Sequence, residues 1–304
     1  MLGIMPSRHR LNRIRIAPYL FTLPFVVSFI IFFIYPLGYM IVMSFQNIEG
    51  ISSATFVGLK NYLRLITDNR VTASMLNSIY FTLGILVINI TIPLFLAIVL
   101  NNRFTLFRNA FRSALYLPAL TSIIVAGIFF RLFFSSNENT PLNRIIQLFG
   151  QEPKAWLFDS VPLGIFALII TSTWRWLGTN IIYFLCGLQS IPPDLYEAAD
   201  IDGANSFQRL RYVTLPSLRP IIIFVVTILT YGGLRMFGES YVLWVSGTGN
   251  TPGNIGLTIV LYIYRTAFTR FQVGYAAAMS TALFFLLILI NLAYIKVLRI
   301  GKGV

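Results

Sequence analysis

Cysteine and histidine are almost missing: Cys186 and His9 are the only ones in 304 residues. One cysteine excludes a disulfide framework and a thiolate metal cluster. One histidine, in a basic N-terminal tail, excludes HExxH zinc sites and makes a histidine-based hydrolytic triad untenable. A hydrolytic metalloenzyme or serine hydrolase is therefore a poor reading, and no cofactor or metal site is expected. Cys186 lies in an apolar run and is expected to be a small buried residue. Charge is scarce too, at 11% of residues, against about 25% in soluble domains. Acidic residues number only 10, and the formal net charge is +13. What fills the chain instead is apolar: 57% of residues are hydrophobic, with a mean hydropathy of +0.77.

Several apolar runs exceed the roughly 18–20 residues that cross a bilayer core. Six spans are readable, at about 17–46, 73–100, 113–134, 161–188, 218–239 and 274–298. The first follows Arg8, Arg10, Arg13 and Arg15, as a signal peptide would. It is too long for such a segment and lacks a small-residue cleavage site after it, so it is expected to be retained. Prolines inside the runs, among them Pro24, Pro36 and Pro93, are tolerable where neighbouring helices repair the backbone bonding.

An even number of spans places both termini on one side. That side would hold thirteen basic residues: Arg8, Arg10, Arg13, Arg15, Arg103, Arg108, Arg112, Arg209, Arg211, Arg219, Lys296, Arg299 and Lys302. The other side holds Lys60, Arg64, Arg70, Arg144, Lys154, Arg265 and Arg270, with Arg131 at the outer end of span three. The positive-inside rule makes the termini cytoplasmic. Topology thus accounts for the positive charge, and no nucleic-acid partner is expected.

The loops differ in kind. In FVGLKNYLRLI, Phe56, Leu59, Tyr62, Leu63 and Ile66 recur at helical spacing, as in a short helix on the outer membrane surface. The stretch WVSGTGNTPGNIG is rich in turn residues, and a second amphipathic stretch runs from Leu257 to Phe268.

The cytoplasmic loop between spans four and five is the most informative segment. It reads SIPPDLYEAADIDGANSFQRLRYVTLPSLRP, from Ser190 to Pro220. Pro192 and Pro193 suit a first helical turn, and Asp194 suits a helix N-terminus. Leu195, Ala198, Ala199 and Asp202 share a face, and Gly203 breaks the helix. Asn205 or Ser206 can cap a second short helix, with Phe207, Leu210 and Val213 as its apolar side, ended by Leu215-Pro216.

The spacing of Glu197-Ala198-Ala199, Gly203, Val213 and Leu215-Pro216 resembles the EAA loop of ATP-binding-cassette (ABC) importer permeases. Val213 stands where that family usually has isoleucine. PYLFTLPF, FVGLKNY, NSIYFTL and NIGLT…YIY…F…GYAAAMS extend the likeness over about residues 17–298. They resemble the carbohydrate-uptake permeases of the maltose and glycerol-phosphate type. RMFGESYVLW and EAADIDGA are most similar to the arabinose-oligosaccharide permeases of bacilli.

The resemblance implies an all-α, polytopic membrane protein with six transmembrane helices and the type I ABC importer permease fold. Its parts would be a basic tail (1–16), a first helix with an external interfacial loop (17–72), a core permease domain (73–298) holding the coupling loop (190–217), and a cytoplasmic tail (299–304). The partners implied are a second homologous permease, two cytoplasmic ATPase subunits, an extracytoplasmic sugar-binding protein and membrane lipid. Glu197, Ala198, Ala199, Asp202, Gly203, Leu215 and Pro216 would form the ATPase-coupling surface. No GxxxxGK[ST] loop is present, so the ATPase is expected in a partner.

Polar groups inside spans mark the candidate substrate path. Trp174, Arg175, Asn180 and Tyr183 lie in span four, and Arg235 and Glu239 in span five. They offer the aromatic faces and hydrogen-bonding edges that sugars need. The alternative is a structural ion pair between spans with interfacial tryptophans, and Arg235 and Glu239 could equally pair with each other at i, i+4. Trp244 is expected as an interface anchor. An ion-driven transporter is disfavoured by the lack of a repeat and of paired acids within the spans. A membrane-embedded enzyme is disfavoured by the lack of clustered catalytic groups.

Overall fold

A computed structural model describes residues 8–50, 54–101, 108–245 and 252–300. Arg103, Lys302 and part of the turn-rich stretch after Trp244 lie outside them. The described chain is almost wholly helical. It contains five helical stretches long and apolar enough to cross a membrane, six if one bent pair counts as a single span.

The chain divides into two compact units. One comprises residues 1–65 and 265–285, the other 66–264 and 286–304. In the first, α1 (Arg8–Phe29) passes through a π turn into α2 (Tyr35–Ser44), and Pro18–Ser44 is the first span. The most apolar window of this span buries nothing, as suits a helix whose solvent is lipid. A two-stranded hairpin follows, pairing β1 (Gln46–Asn47) with β2 (Thr55–Phe56). Beyond it, α3 (Lys60–Thr67) begins. The Asn61 carboxamide donates to the carbonyls of Ser44 and Gln46, 2.9 Å each, and Tyr62 meets the Ser44 hydroxyl at 2.6 Å. Those bonds explain the FVGLKNY signature: they seal the end of the first span. Leu59 and Leu63 remain exposed, as expected of an interfacial helix.

The second unit is built around α4 (Asn69–Asn101) and α8 (Val161–Gln189), which pack along their lengths. Phe81, Ile85, Leu168, Ile181, Phe184, Leu218 and Val225 are among the residues of its core. Span three departs from expectation. Instead of one helix over 113–134, α5 (Arg108–Tyr116) runs through a 3-10 turn at Leu117–Leu120, and α6 (Ile123–Phe133) starts anew. The two halves meet at 95°. Pro118 tightens the turn, and Ser122 caps α6 by accepting from the Ile124 N–H.

Outside the spans, α7 (Pro141–Leu148) is held by Asn143. Its Oδ1 accepts from Trp156 Nε1 at 2.8 Å and from the Lys154 N–H at 3.1 Å, and its Nδ2 donates to the Asn137 carbonyl at 3.1 Å. One buried carboxamide thus orders the whole loop.

The segment after span four forms α9 (Pro193–Ile201), a turn at Gly203, and α10 (Ser206–Arg209). Leu215-Pro216 does not end the second helix. A π turn at Leu210–Thr214 carries α10 into α11 (Leu215–Leu234), so this part of the loop is the N-terminal extension of span five. The wider turn lets Leu215 N–H reach the Leu210 carbonyl and absorbs the donor that Pro216 lacks. Span five then breaks at Arg235 and Phe237 and restarts as α12 (Gly238–Ser240), where a straight helix over 218–239 was expected. Trp244 is no interface anchor: it is 1% exposed, with Nε1 bonded to the Leu157 carbonyl at 2.8 Å. The NIGLT segment before α13 (Ile259–Tyr264) wraps onto α4. Asn77 donates to the carbonyls of Asn254 and Leu257, and Ser78 accepts from the Ile259 N–H. The last helix is α14 (Val273–Ile300).

Candidate functional site

The two broken spans meet at a cavity of about 550 Å³ within the second unit. Its walls come from the middle of α4 and α8, the end of α11 and both helix breaks. Thr121, Ser122 and Ile123 contribute from the first break, and Arg235 to Glu239 from the second. A helix break frees backbone polar groups, which is tolerated at this depth only where the chain lines a cavity or is buried in protein. Close approach at the breaks is made possible by Gly238, where a Cβ would collide with the Ile123 side chain.

Five of the six residues expected on the substrate path line this cavity: Arg175, Asn180, Tyr183, Arg235 and Glu239. Trp174 does not. It turns away to stack on Phe129 and meet Phe130 edge-on, with ring centroids 6.4 and 5.5 Å away. Its neighbour Trp176 takes that place, half exposed in the lining with the Arg175 guanidinium 5.7 Å from its ring. Tyr183 is steered by an edge-on contact with Phe224.

Glu239 does not pair with Arg235. Its Oε1 accepts from Arg175 Nη1 at 2.5 Å, in an ion pair whose side chains are 13% and 6% exposed. The helix break is the reason: the expected i, i+4 register between Arg235 and Glu239 is lost at Phe237. Arg235 caps the C-terminus of α11, a favourable place for a cation, and faces the cavity exposed.

The sequence reading missed Asn89 as a lining residue. It sits midway along α4, 1% exposed, and donates to Thr173 Oγ1 at 2.9 Å. Asn180 Nδ2 donates in turn to Asn89 Oδ1 at 3.4 Å. The signal was available: Asn89 is the one carboxamide in the largely apolar run GILVINITIPLF.

The proposed coupling residues are gathered elsewhere in the second unit. Glu197, Ala198, Asp202 and Gly203 are exposed on and just after α9, and Ala199 is half-buried. Gly203 has φ +72°, and the Ala204 N–H bonds back to the Ala199 carbonyl at 2.9 Å, closing the helix in a Schellman turn. Asn205 and Gln208 form a reciprocal capping box. Asp200 reaches across the turn to Arg209 at 2.7 Å, and Tyr196 meets Thr214 at 3.1 Å. The two sides of the turn therefore hold one shape. Leu215 is half-buried and Pro216 exposed, both in the helix that leads into span five. Cys186, expected buried, is exposed on α8.

Broken apolar helices around a largely apolar cavity with a few convergent polar groups, and an exposed turn in the loop between spans four and five, are the marks of a membrane permease. Residues 89–300 match the family of binding-protein-dependent transport system inner membrane components, and the chain belongs to that family. It is 46% identical over 287 residues to an arabinooligosaccharides transport system permease of Bacillus subtilis (strain 168), covering 94% of this chain and 90% of that one. A lactose transport system permease of Rhizobium radiobacter is 34% identical, with 91% and 92% covered. Among solved structures, a bacterial alginate ABC transporter, crystallised with an alginate pentasaccharide-bound periplasmic protein, superposes with a TM-score of 0.80. That match is 22% identical and covers 95% of this chain and 96% of that one. The protein is thus an inner-membrane permease subunit of the ABC importer class, and its relatives are transport components rather than enzymes.

Proposed function

We propose that this permease carries short oligosaccharides into the cell through the cavity between its broken spans, working by alternating access. The observation that carries the reading is the lining: exposed Trp176 and half-buried Tyr183 beside Arg175, Asn180, Arg235 and Glu239. Aromatic faces and fixed polar groups are what a sugar ring and its hydroxyls require. The names of the relatives favour arabinose-containing oligosaccharides.

The chain works with a second, homologous permease and two cytoplasmic ATPase subunits, and a sugar-binding protein delivers substrate from outside. Both termini face the cytoplasm, as does the coupling loop at 190–217. Exposed Glu197, Ala198 and Asp202, half-buried Ala199 and the turn at Gly203 receive the ATPase. Leu215 and Pro216 pass its movement into span five, because α10 and α11 are joined through the π turn. The tails are residues 1–16 and 299–304. The first helix and its external loop occupy 17–72, and the core permease occupies 73–298.

The test is uptake of radiolabelled oligosaccharides in a strain deleted for this chain and complemented with it. Arabinose-containing oligosaccharides should accumulate in an ATP-dependent way. Loss of uptake in Asn180→Ala and Arg235→Ala with unchanged membrane abundance supports the cavity as the path. Normal uptake in both removes it from this subunit.

A further inference from the structure

We infer that Asn89 is a positioning residue for substrate recognition. It turns the Asn180 carboxamide so that Oδ1 stands in the cavity as a directed acceptor for a sugar hydroxyl. The inference rests on the reading that this cavity takes the sugar.

A carboxamide inside an apolar span is unfavourable unless its polar atoms are bonded. Asn89 meets that demand with both ends. Its Nδ2 donates to Thr173 Oγ1 at 2.9 Å, and its Oδ1 accepts from Asn180 Nδ2 at 3.4 Å. Thr173 and Asn180 are seven residues apart on α8, two helical turns on one face. Asn89 therefore reads both from across the α4–α8 seam. With its Nδ2 engaged by Asn89, the Asn180 amide plane is fixed, and its Oδ1 accepts from no described residue.

The rest of the lining shows why such an acceptor matters. Arg175 and Arg235 are donors only. Glu239 spends Oε1 on Arg175, and what it has left is a charged oxygen and not a neutral one. Thr121, Ser172, Thr179 and Tyr183 offer hydroxyls whose direction follows whatever they meet, and Ser122 is already engaged as the cap of α6. A sugar hydroxyl must donate as well as accept, and discrimination between hydroxyl patterns comes from buried groups that are left unpaired by the wrong substrate. Asn180 Oδ1 is the lining carboxamide oxygen with a set direction and no bond of its own. Both carboxamides line the cavity, and both are buried, at 1% and 3% exposed.

The experiment uses the whole transporter in proteoliposomes, with saturating, sugar-loaded binding protein, so that the permease step and not capture is read. Maximal uptake rates are measured for one transported oligosaccharide and its set of monodeoxy analogues. The variants are Thr173→Val, Thr173→Ser and Asn89→Leu. Thr173→Val and Asn89→Leu should slow the parent sugar about five-fold, the worth of one hydrogen bond, and slow one deoxy analogue by less than about two-fold. The ratio between these two substrates therefore collapses, and Thr173→Ser restores it. A role in helix packing alone would lower every substrate by the same factor and leave the ratio unchanged. That result, or no change at all, overturns the inference. If Asn89→Leu does not assemble, Thr173→Val, which conserves volume, decides. Wild-type protein that takes up no oligosaccharide sinks the proposed function itself. Wild-type uptake with unaltered ratios sinks only this inference.

Discussion

Arg175 and Glu239 lie 64 positions apart, yet their ion pair at 2.5 Å ties the middle of α8 to the restarted turn α12. The pair is largely withdrawn from solvent, and Arg175 Nε is buried without a partner among the described residues. A buried pair contributes little net stability, because desolvation offsets much of the attraction. Removing one partner is different, since it strands the other charge.

Arg175→Leu and Glu239→Leu should each destabilise the protein by about 3–5 kcal/mol, whereas Arg175→Met with Glu239→Met should recover most of the loss. Thermal unfolding in detergent measures it. Single variants as stable as the wild type would show that water reaches the pair. A stable double variant that still fails in uptake would show that the charges serve transport and not folding.

Asn143 makes a comparable case outside the spans. It gathers the Trp156 indole, the Lys154 backbone and the carbonyls of Ser135 and Asn137. Asn143→Ala should cost about 2–4 kcal/mol, since it leaves buried donors and acceptors unmet. Limited proteolysis of the 135–160 loop should accelerate in that variant while the spans stay intact. An unchanged digestion pattern would mean that the loop is ordered by something else.

Span number and apolar face were legible because bilayer length and helical periodicity are written in composition. Gly203 was legible because a helix end asks for a residue that accepts positive φ. The breaks were not. Pro118 and Ser122 announce a cap, but neither says that the chain turns by 95° there, because that angle is set by packing against α8 and the tip of span five. The same gap left the partner of Glu239 open between an ion pair across spans, which is the one formed, and Arg235. Spacing places Arg235 and Glu239 on one helical face only if the helix continues, and it stops at Arg235. Trp244 was misplaced for a related reason: a tryptophan near a span end suits the interface, and only the tertiary fold brings the Leu157 carbonyl to its indole.

Orientation has its own test. Cys186 is exposed on α8, so it is replaced first, as Cys186→Ala. Single cysteines introduced at 200–212 should then react with impermeant thiol reagents in inside-out vesicles and stay unlabelled in intact cells. The basis is the concentration of Arg and Lys on that side. Labelling in intact cells would invert the topology and place the turn at Gly203 outside.

The last prediction concerns Gly203 itself. Its φ of +72° lies in the left-handed region, and a Cβ built there meets nothing within 4 Å. A substitution is therefore opposed by backbone conformation and not by collision. Left-handed geometry costs an ordinary residue about 1–2 kcal/mol, and most for a β-branched one, whereas asparagine adopts it readily. Gly203→Val should open the Schellman turn and displace α9 from α10, loosening the Asp200–Arg209 bridge. The spans insert regardless, because their apolar runs do not depend on this loop. Membrane abundance should stay within about two-fold of wild type, since surface turns contribute little to global stability, while ATPase co-purification and sugar uptake fall together. Gly203→Asn should keep both. Glu197→Lys, which reverses an exposed charge on α9 without touching the turn, should weaken ATPase docking at normal turn geometry. All three are measured in one strain by membrane blot, pull-down of the tagged ATPase and radiolabelled uptake. If Gly203→Val retains full uptake, the turn is a connector and the coupling surface lies elsewhere. If Gly203→Asn fails as badly as Gly203→Val, the requirement is for a bare backbone at the contact, because only a side chain pressed against the ATPase would then distinguish glycine from asparagine.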